Sequence, residues 1–600
     1  MKFWSKTVPA AVGMNELYRQ LMRAIPHRTS PDESVAGADL RSLRQWIDAL
    51  PLANFGATSR QLLDKLRWLN KVRMEPLQRL ETLEVLRTPI GQCVASADAQ
   101  ILGSSFPLTA QKAELGTLTE QFELELMLGY IQVLYDLCAP KEAVPMFRAN
   151  QSALAGVRAL EHGGRCLQKS YQCYHAPLAG VWQSLHDVYR VVVDLKLQNR
   201  PVDGPRFGGG TKPRNVYAHA LLLSLINPYS YTFRELPEIN AITRLLAPFC
   251  ELRHMASDVE QDGTLRLADT SSDLGPGFVI EDATLDRRNL LGIDTSKVRS
   301  EVKMRINAAS DDANSVELRG RDGEPVRAEI RLLRQIVGSL TADYSRDFDR
   351  LDSEQEMETV IGLYDLHNVI AGNEDFASFA QRVFGSNDDQ HEVMASWVHT
   401  SSEQTRVCQR TANVLDQSLR GYRLRWQNGP RGESVRAKVG EVIGLRSERD
   451  SASNWIVGSI RWLRIDEAGD VEAGVEVLAR RALPVAVRLA ESQGPSRAPI
   501  RGLLMAPLRS SDAGIYSTLL VPSVLMPNLV DRSLSALRMA SPNDPSRWWV
   551  DQGVRRIGAT GLLDRSGTYI HFRLPSMQRV TSARNIPSGE PALSAPTGEG

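Results

Sequence analysis

From about Met14 to Met255, apolar residues recur at the three-to-four spacing of a helix face. Leu17, Leu21 and Ile25 form one stripe, Leu62, Leu66 and Leu69 another, and Thr109 to Leu137 is one long periodic run. Pro76, ahead of Leu77–Leu86, and Pro177, ahead of Val181, Leu185, Val188 and Val192, stand where a first helical turn tolerates proline. Helices joined by short links predict stacked antiparallel pairs, a solenoid-like all-α region over residues 1–260 without a repeat of fixed register. Asn199 to Pro213, with Gly204-Pro205 and Gly208-Gly209-Gly210, reads as a loop. Strand-like pieces at Thr264–Leu267, Gly277–Ile280 and Val302–Ile306 predict a small β-containing segment over 261–328. Helical spacing returns over 329–395, through Ile330, Leu333, Ile336 and Leu340 and then Val360, Leu363 and Leu366.

From Ser396 to Ala490 the period changes to two, in the runs Val439–Arg446, Trp455–Leu463 and Val471–Leu478. Ile456, Ile460 and Trp462 share a face with Gly458, and Val471, Ala473, Val475 and Val477 share one opposite Glu472, Gly474 and Glu476. Strands this short and this clearly two-faced predict a six-stranded or similar antiparallel barrel over 396–490, with Ile456, Ile460, Trp462, Val475 and Val477 inside. Further apolar runs imply a C-terminal β extension over 491–575. The Ser-, Pro- and Gly-rich residues 576–600 are expected to be a disordered tail. The fold class is multidomain α+β, an N-terminal all-α helical-pair region followed by a C-terminal antiparallel β-barrel.

At 600 residues the chain holds several domains. Lys+Arg and Asp+Glu balance at 71 each, so no global field recruits nucleic acid or an anionic membrane. The six cysteines are spread thinly, mostly within apolar helical patterns, the usage of a reducing compartment. With no secretory leader pattern and no apolar run near the roughly 18–20 residues of a membrane span, the expected location is cytoplasmic. Gly204 to Lys212 fails the phosphate-loop pattern, because no Lys-Ser/Thr pair stands at the needed position and Pro213 follows. His162, Cys166, Cys173 and His175 lack zinc-ligand spacing and read as core and cap residues. No nucleophile elbow, metalloprotease helix or dinucleotide fingerprint is present, so no catalytic residue, metal or cofactor is nominated and a non-enzymatic role is expected.

One motif does suggest a ligand. Asp416-Gln417-Ser418-Leu419-Arg420-Gly421 fits D-x-S-x-x-G and is followed by Tyr422-Arg423-Leu424-Arg425-Trp426. Carboxylate and hydroxyl accept from nearby N–H groups, and glycine permits a turn with positive φ. The plain alternative is a capped hairpin turn with Arg423 and Arg425 on a solvated strand face. Residues 396–490 carry 15 Lys/Arg against 11 Asp/Glu, which suits an anionic ligand.

The motif, followed by Val439-Gly440-Glu441-Val442-Ile443-Gly444-Leu445, Gly458-Ser459-Ile460-Arg461-Trp462 and Ala473-Gly474-Val475-Glu476-Val477, resembles the PilZ domain. That family of small β-barrels binds the bacterial second messenger cyclic di-GMP. The resemblance implies that Asp416, Ser418 and Gly421 grip a guanine, with Arg420 beside them. It further implies that an R-x-x-x-R segment, here Arg406-Val407-Cys408-Gln409-Arg410, holds phosphate, as the planar fork of arginine is suited to do. Only five residues separate Arg410 from Asp416, where the family fits a whole strand, so Arg406 and Arg410 lying on the strand itself is a second reading. The implied function is a cytoplasmic bacterial effector that binds cyclic di-GMP. It would relay the signal through the helical region to protein partners in motility, pili, adhesion or virulence control. The alternative is an adaptor whose barrel no longer binds.

Overall fold

The helix-period stripes become helices in the computed structural model of the chain. It describes residues 15–28, 40–51, 54–104, 106–204, 207–254, 265–277, 287–310, 313–319, 325–341, 351–353, 355–384, 409–429, 435–447, 454–489, 499–506, 518–523, 536–541, 544–551, 562–573 and 578–580. Two compact units result, one of residues 1–347 with 464–469 and one of 348–463 with 470–600.

The first unit opens with α1 (Glu16–Arg23), α2 (Leu40–Asp48), α3 (Phe55–Lys71), α4 (Pro76–Ile101), α5 (Ala110–Cys138), α6 (Ala149–Gln172) and α7 (Val181–Asp194). Pro76 sits in the first turn of α4, and Asn15, Asn54 and Glu75 cap their helices by accepting from the backbone N–H of Leu17, Ala57 and Gln78. Pro177, by contrast, lies ahead of α7, which begins after Gly180 at φ 84°. Contacts fix the helix directions. Cys138, Glu123 and Glu120 of α5 meet Ser152, His162 and Ser170 of α6, an antiparallel pairing. Glu84 and Asp98 of α4 meet Arg158 and Lys169 of α6 in parallel. Next come β1 (Val202–Gly204) and β2 (Phe207–Thr211), an antiparallel hairpin where the glycines predicted only a loop, then α8 (Pro213–Leu225) and α9 (Leu236–Leu246).

An ionic seam crosses the α4–α5–α6 interface. Arg158, 6% exposed, donates from Nε to Glu84 Oε1 at 3.0 Å and from Nη1 to Glu161 Oε2 at 2.9 Å. Arg87 Nε donates to His162 Nε2 at 3.2 Å, so the imidazole proton is on Nδ1, 2.6 Å from Glu123 Oε2. Cys166 is buried on α6 and Cys173 ends that helix.

The unit closes with β3 (Glu251–His254), β4 (Leu265–Asp269), β5 (Leu290–Asp294), α10 (Ser296–Asn307), β6 (Ser315–Leu318), β7 (Val326–Glu329) and α11 (Ile330–Thr341). These strands form a three-stranded sheet in the order β3-β5-β4 and a β6–β7 hairpin. Val302–Ile306, expected as a strand, lies in α10. Val298 and Val302, four apart, share its buried face. Residues 278–280 of the expected strand Gly277–Ile280 fall outside the described residues. Among the described residues no helix is long and apolar enough to cross a membrane.

The second unit contains β8 (Leu351–Asp352), β9 (Glu356–Ile361), α12 (Leu363–Ile370), α13 (Phe376–Phe384), β10 (Gln409–Ser418), β11 (Gly421–Trp426), β12 (Val442–Ser447), β13 (Ile456–Ile465) and β14 (Val471–Ala479). The ladder runs β11-β14-β13-β12-β9-β10 and returns to β11, a closed six-stranded antiparallel barrel, with β8 added beside β10. Its sixth strand, β9, comes from the stretch whose spacing reads as helical. Ala412, Val414, Tyr422, Leu424, Trp426, Ile443, Leu445, Val457, Ile460, Val475 and Val477 are buried.

Ile456 and Trp462, expected inside, are half-buried. Trp462 lies on the other face of β14, over Gly474, where a Cβ would stand 1.8 Å from the indole Nε1. Gly474→Ala is therefore expected to expel the indole and lower stability by about 1–3 kcal/mol, the usual cost of overpacking. Urea unfolding with a red shift of tryptophan emission checks this.

Then follow β15 (Ala482–Leu489), β16 (Ile500–Met505), β17 (Thr518–Pro522), β18 (Ala536–Ser541), β19 (Asp544–Asp551), β20 (Leu562–Arg565), β21 (Tyr569–Arg573) and β22 (Gln578–Val580). They make one antiparallel sheet, β20-β21-β17-β16-β15-β18-β19-β22. It therefore takes in 482–489, expected in the barrel, and 578–580, expected in the tail. Barrel and sheet share a core of Val360, Leu363, Leu366, Val442, Trp455, Val457, Leu503, Met505, Leu520 and Tyr569. Arg461 Nη2 donates to Asp564 Oδ2 at 2.8 Å, Thr568 Oγ1 to Gly440 O at 2.8 Å, and buried His367 to Val485 O at 3.2 Å.

Candidate functional site

Asp416, Ser418, Arg420 and Gly421 meet at the two-residue turn between β10 and β11, where Ser418 pairs with Gly421. Ser418 Oγ accepts from Arg420 N and donates to Gly421 O, both at 3.4 Å, so the hydroxyl braces the turn. On the third side Val477 N donates to Arg420 O at 2.8 Å, and Arg480 Nη2 to Leu419 O at 3.2 Å. Gly421 is required for space more than for a left-handed φ, since a Cβ there would stand 2.8 Å from the Val475 carbonyl oxygen of β14. That carbonyl is backbone and cannot swing aside.

A register shift between Val414 and Asp416 turns Asp416 onto the outer face opposite Arg423. Its carboxylate is 13% exposed and 3.9 Å from Arg423 Nη1. On the other side of β10, Asp352 of β8 is its register partner. Alternation in β11 buries Tyr422, Leu424 and Trp426 and leaves Arg423 and Arg425 outside. There they do not face solvent alone. Glu472 of β14, the register partner of Arg425, accepts from Arg423 Nη2 at 2.8 Å and from Arg425 Nε at 3.0 Å. Burial raises the pKa of Glu472, and the hydrogen bonds from Arg423 and Arg425 more than reverse this, so its carboxyl lies below the ordinary range.

Arg410 lies on β10, half-buried, with its carbonyl accepting from Thr359 Oγ1 at 2.8 Å. It stands at the opposite end of that strand from Asp416, roughly 20 Å away at about 3.3 Å per residue. Arg406 lies outside the described residues. The structure thus gathers Asp416, Ser418, Arg420 and Gly421 and does not gather Arg410 with them. Glu472 is absent from the expected site, although the alternation of Glu472, Gly474 and Glu476 against Val475 was its available signal.

Against known families, the model described as "Cyclic-di-GMP receptor FimW, N-terminal domain" matches residues 41–257. The model described as "Cyclic-di-GMP receptor FimW, middle PilZ domain" matches residues 265–413 and 385–484. Among curated proteins, the cyclic-di-GMP receptor FimW of Pseudomonas aeruginosa is 21% identical, over 96% of this chain and 96% of its own length. No solved structure matches the chain.

Proposed function

We propose that this chain, which belongs to the PilZ-domain family, is a non-enzymatic bacterial receptor for cyclic di-GMP that passes the signal to protein partners through its helical unit. One observation carries the reading: the D-x-S-x-x-G residues sit on the hairpin turn of a closed six-stranded antiparallel barrel. Asp416 and Ser418 supply acceptors for a guanine edge, Gly421 lets β14 come close, and Arg420 supplies a cation beside the turn. Arg410 and Arg406 are the candidate phosphate clamp. The expected cellular setting is the cytoplasm, and the expected outputs are motility, pili, adhesion or virulence.

The position of Arg410, within β10 and a strand length from Asp416, favours a second reading in which the barrel is an adaptor without ligand. Calorimetric titration of the whole chain with cyclic di-GMP separates the two. On the receptor reading wild type binds, and Asp416→Ala or Arg410→Ala each weakens binding by roughly ten-fold or more, the worth of a charge-assisted hydrogen bond. Absence of binding by folded wild type leaves the adaptor.

A further inference from the structure

Resting on the receptor reading, the geometry of the outer barrel face adds a residue to the site. Arg423 and Arg425 converge on one carboxylate, that of Glu472, which is 8% exposed. The two arginines are held unequally. Arg425 reaches Glu472 Oε1 with both Nε and Nη2. Arg423 donates only Nη2, to Oε2 at 2.8 Å. Its Nη1 is 3.9 Å from Asp416 of the motif, and its Nε is buried with no partner among the described residues. At 39% exposure its fork is open to solvent.

A carboxylate between two guanidinium forks occupies the kind of position a phosphate takes, because both anions accept planar pairs of N–H donors. Removing one partner from a buried charge is costly when that partner is its last. Here it is not: if Arg423 leaves, Glu472 keeps both bonds from Arg425. Arg423 can therefore exchange one anion for another without stranding a charge, and it stands nearer the motif than Arg425 does. We propose that Arg423 turns from Glu472 to a phosphate of cyclic di-GMP, and that Glu472 sets affinity by competing for it as an internal anion.

The test is titration of the whole chain with cyclic di-GMP at several salt concentrations, with thermal melts to confirm folding. Arg423→Ala is expected to weaken binding by roughly ten-fold or more and to flatten its salt dependence. Arg423→Lys keeps the charge without the planar fork and carries the test if the alanine variant misfolds, with an intermediate affinity expected. Glu472→Gln, which removes the competing charge, is expected to bind several-fold more tightly than wild type. Wild-type affinity in folded Arg423→Ala overturns the contact, and unchanged or weaker binding by folded Glu472→Gln overturns the competition. Both results presuppose that wild type binds. A wild type that does not bind removes the receptor reading itself, and this inference with it.

Discussion

Arg158→Ala is expected to destabilise the helical unit by roughly 1.5–3 kcal/mol, the worth of a charge-assisted hydrogen bond, because Glu161 keeps Arg165 and Arg87 and Glu84 keeps Arg87 and Tyr130. Its guanidinium bridges Glu84 on α4 and Glu161 on its own helix, and Glu161 is 8% exposed. Truncation leaves each carboxylate one partner fewer within the helix interface. Against a total stability of typically 5–15 kcal/mol, that is a large fraction. Acid unfolding gives the same test a sign. Burial raises the pKa of Glu161, but Arg165, Arg87 and Arg158 more than reverse it and hold the carboxyl at about 2, below its ordinary 4.5. A folded pKa below the unfolded one stabilises the protein above the unfolded value and loses that stabilisation as pH falls towards the folded value. Wild type should therefore hold its helices until pH drops well below 4.5. Arg158→Ala should lose them at higher pH, as followed by circular dichroism at 222 nm. Identical acid midpoints would mean that Arg165 and Arg87 suffice.

A chain ending after residue 484, where the family match stops, is expected to lose the barrel as well as the sheet. Leu503, Met505, Leu520 and Tyr569 are buried against Val360, Leu366, Val442 and Trp455. Each large side chain withdrawn from such a core forfeits roughly 1.5–3 kcal/mol, and four together approach the stability of a typical domain. The expected result is aggregation on expression, or a soluble product without near-ultraviolet dichroism. A truncated chain that keeps the wild-type near-ultraviolet spectrum of its barrel tryptophans would show that the barrel stands alone.

The sequence disclosed most where a residue's neighbours are set by local periodicity. The two faces of β14 differ so sharply that Val475 and Val477 could only point inward. The turn at Ser418–Gly421 was equally readable, because its signal lies within six residues. What escaped depends on partners far along the chain. In β9, Met357 and Thr359 do alternate with glutamates, but Val360 continues into Leu363 and Leu366 at helical spacing, and the strand's partners lie in β10 and β12. Trp462 read as a core residue because it shares the two-residue period of Ile456 and Ile460. Its place over Gly474 follows from the geometry of β13 against β14, which no single strand reveals. Glu472 is the same case: its face was evident, and only the pairing of Arg425 with Glu472 puts it beside both arginines. Composition predicted a disordered tail from residue 576, yet Gln578–Val580 pairs with β19. A polar segment unable to build its own core can still extend an existing edge.

The seam of the barrel bears on how the chain is made. β9 is synthesised well before the strands on either side of it, and its two ladders must wait for β10 and β12 to emerge. The ring cannot close until β14, ending at Ala479, has left the ribosome. Even then its shared core stays open until Tyr569 arrives. Until β10 and β12 have emerged, β9 is an unpaired edge on a nascent chain, with Met357 and Val360 uncovered. The α5–α6 pair waits less, since Glu123 and His162 stand 39 residues apart, whereas α1 meets α7 only after Arg190, 170 residues beyond Gln20, has emerged. A translational pause between residues 361 and 447 would therefore prolong the life of an unpaired strand.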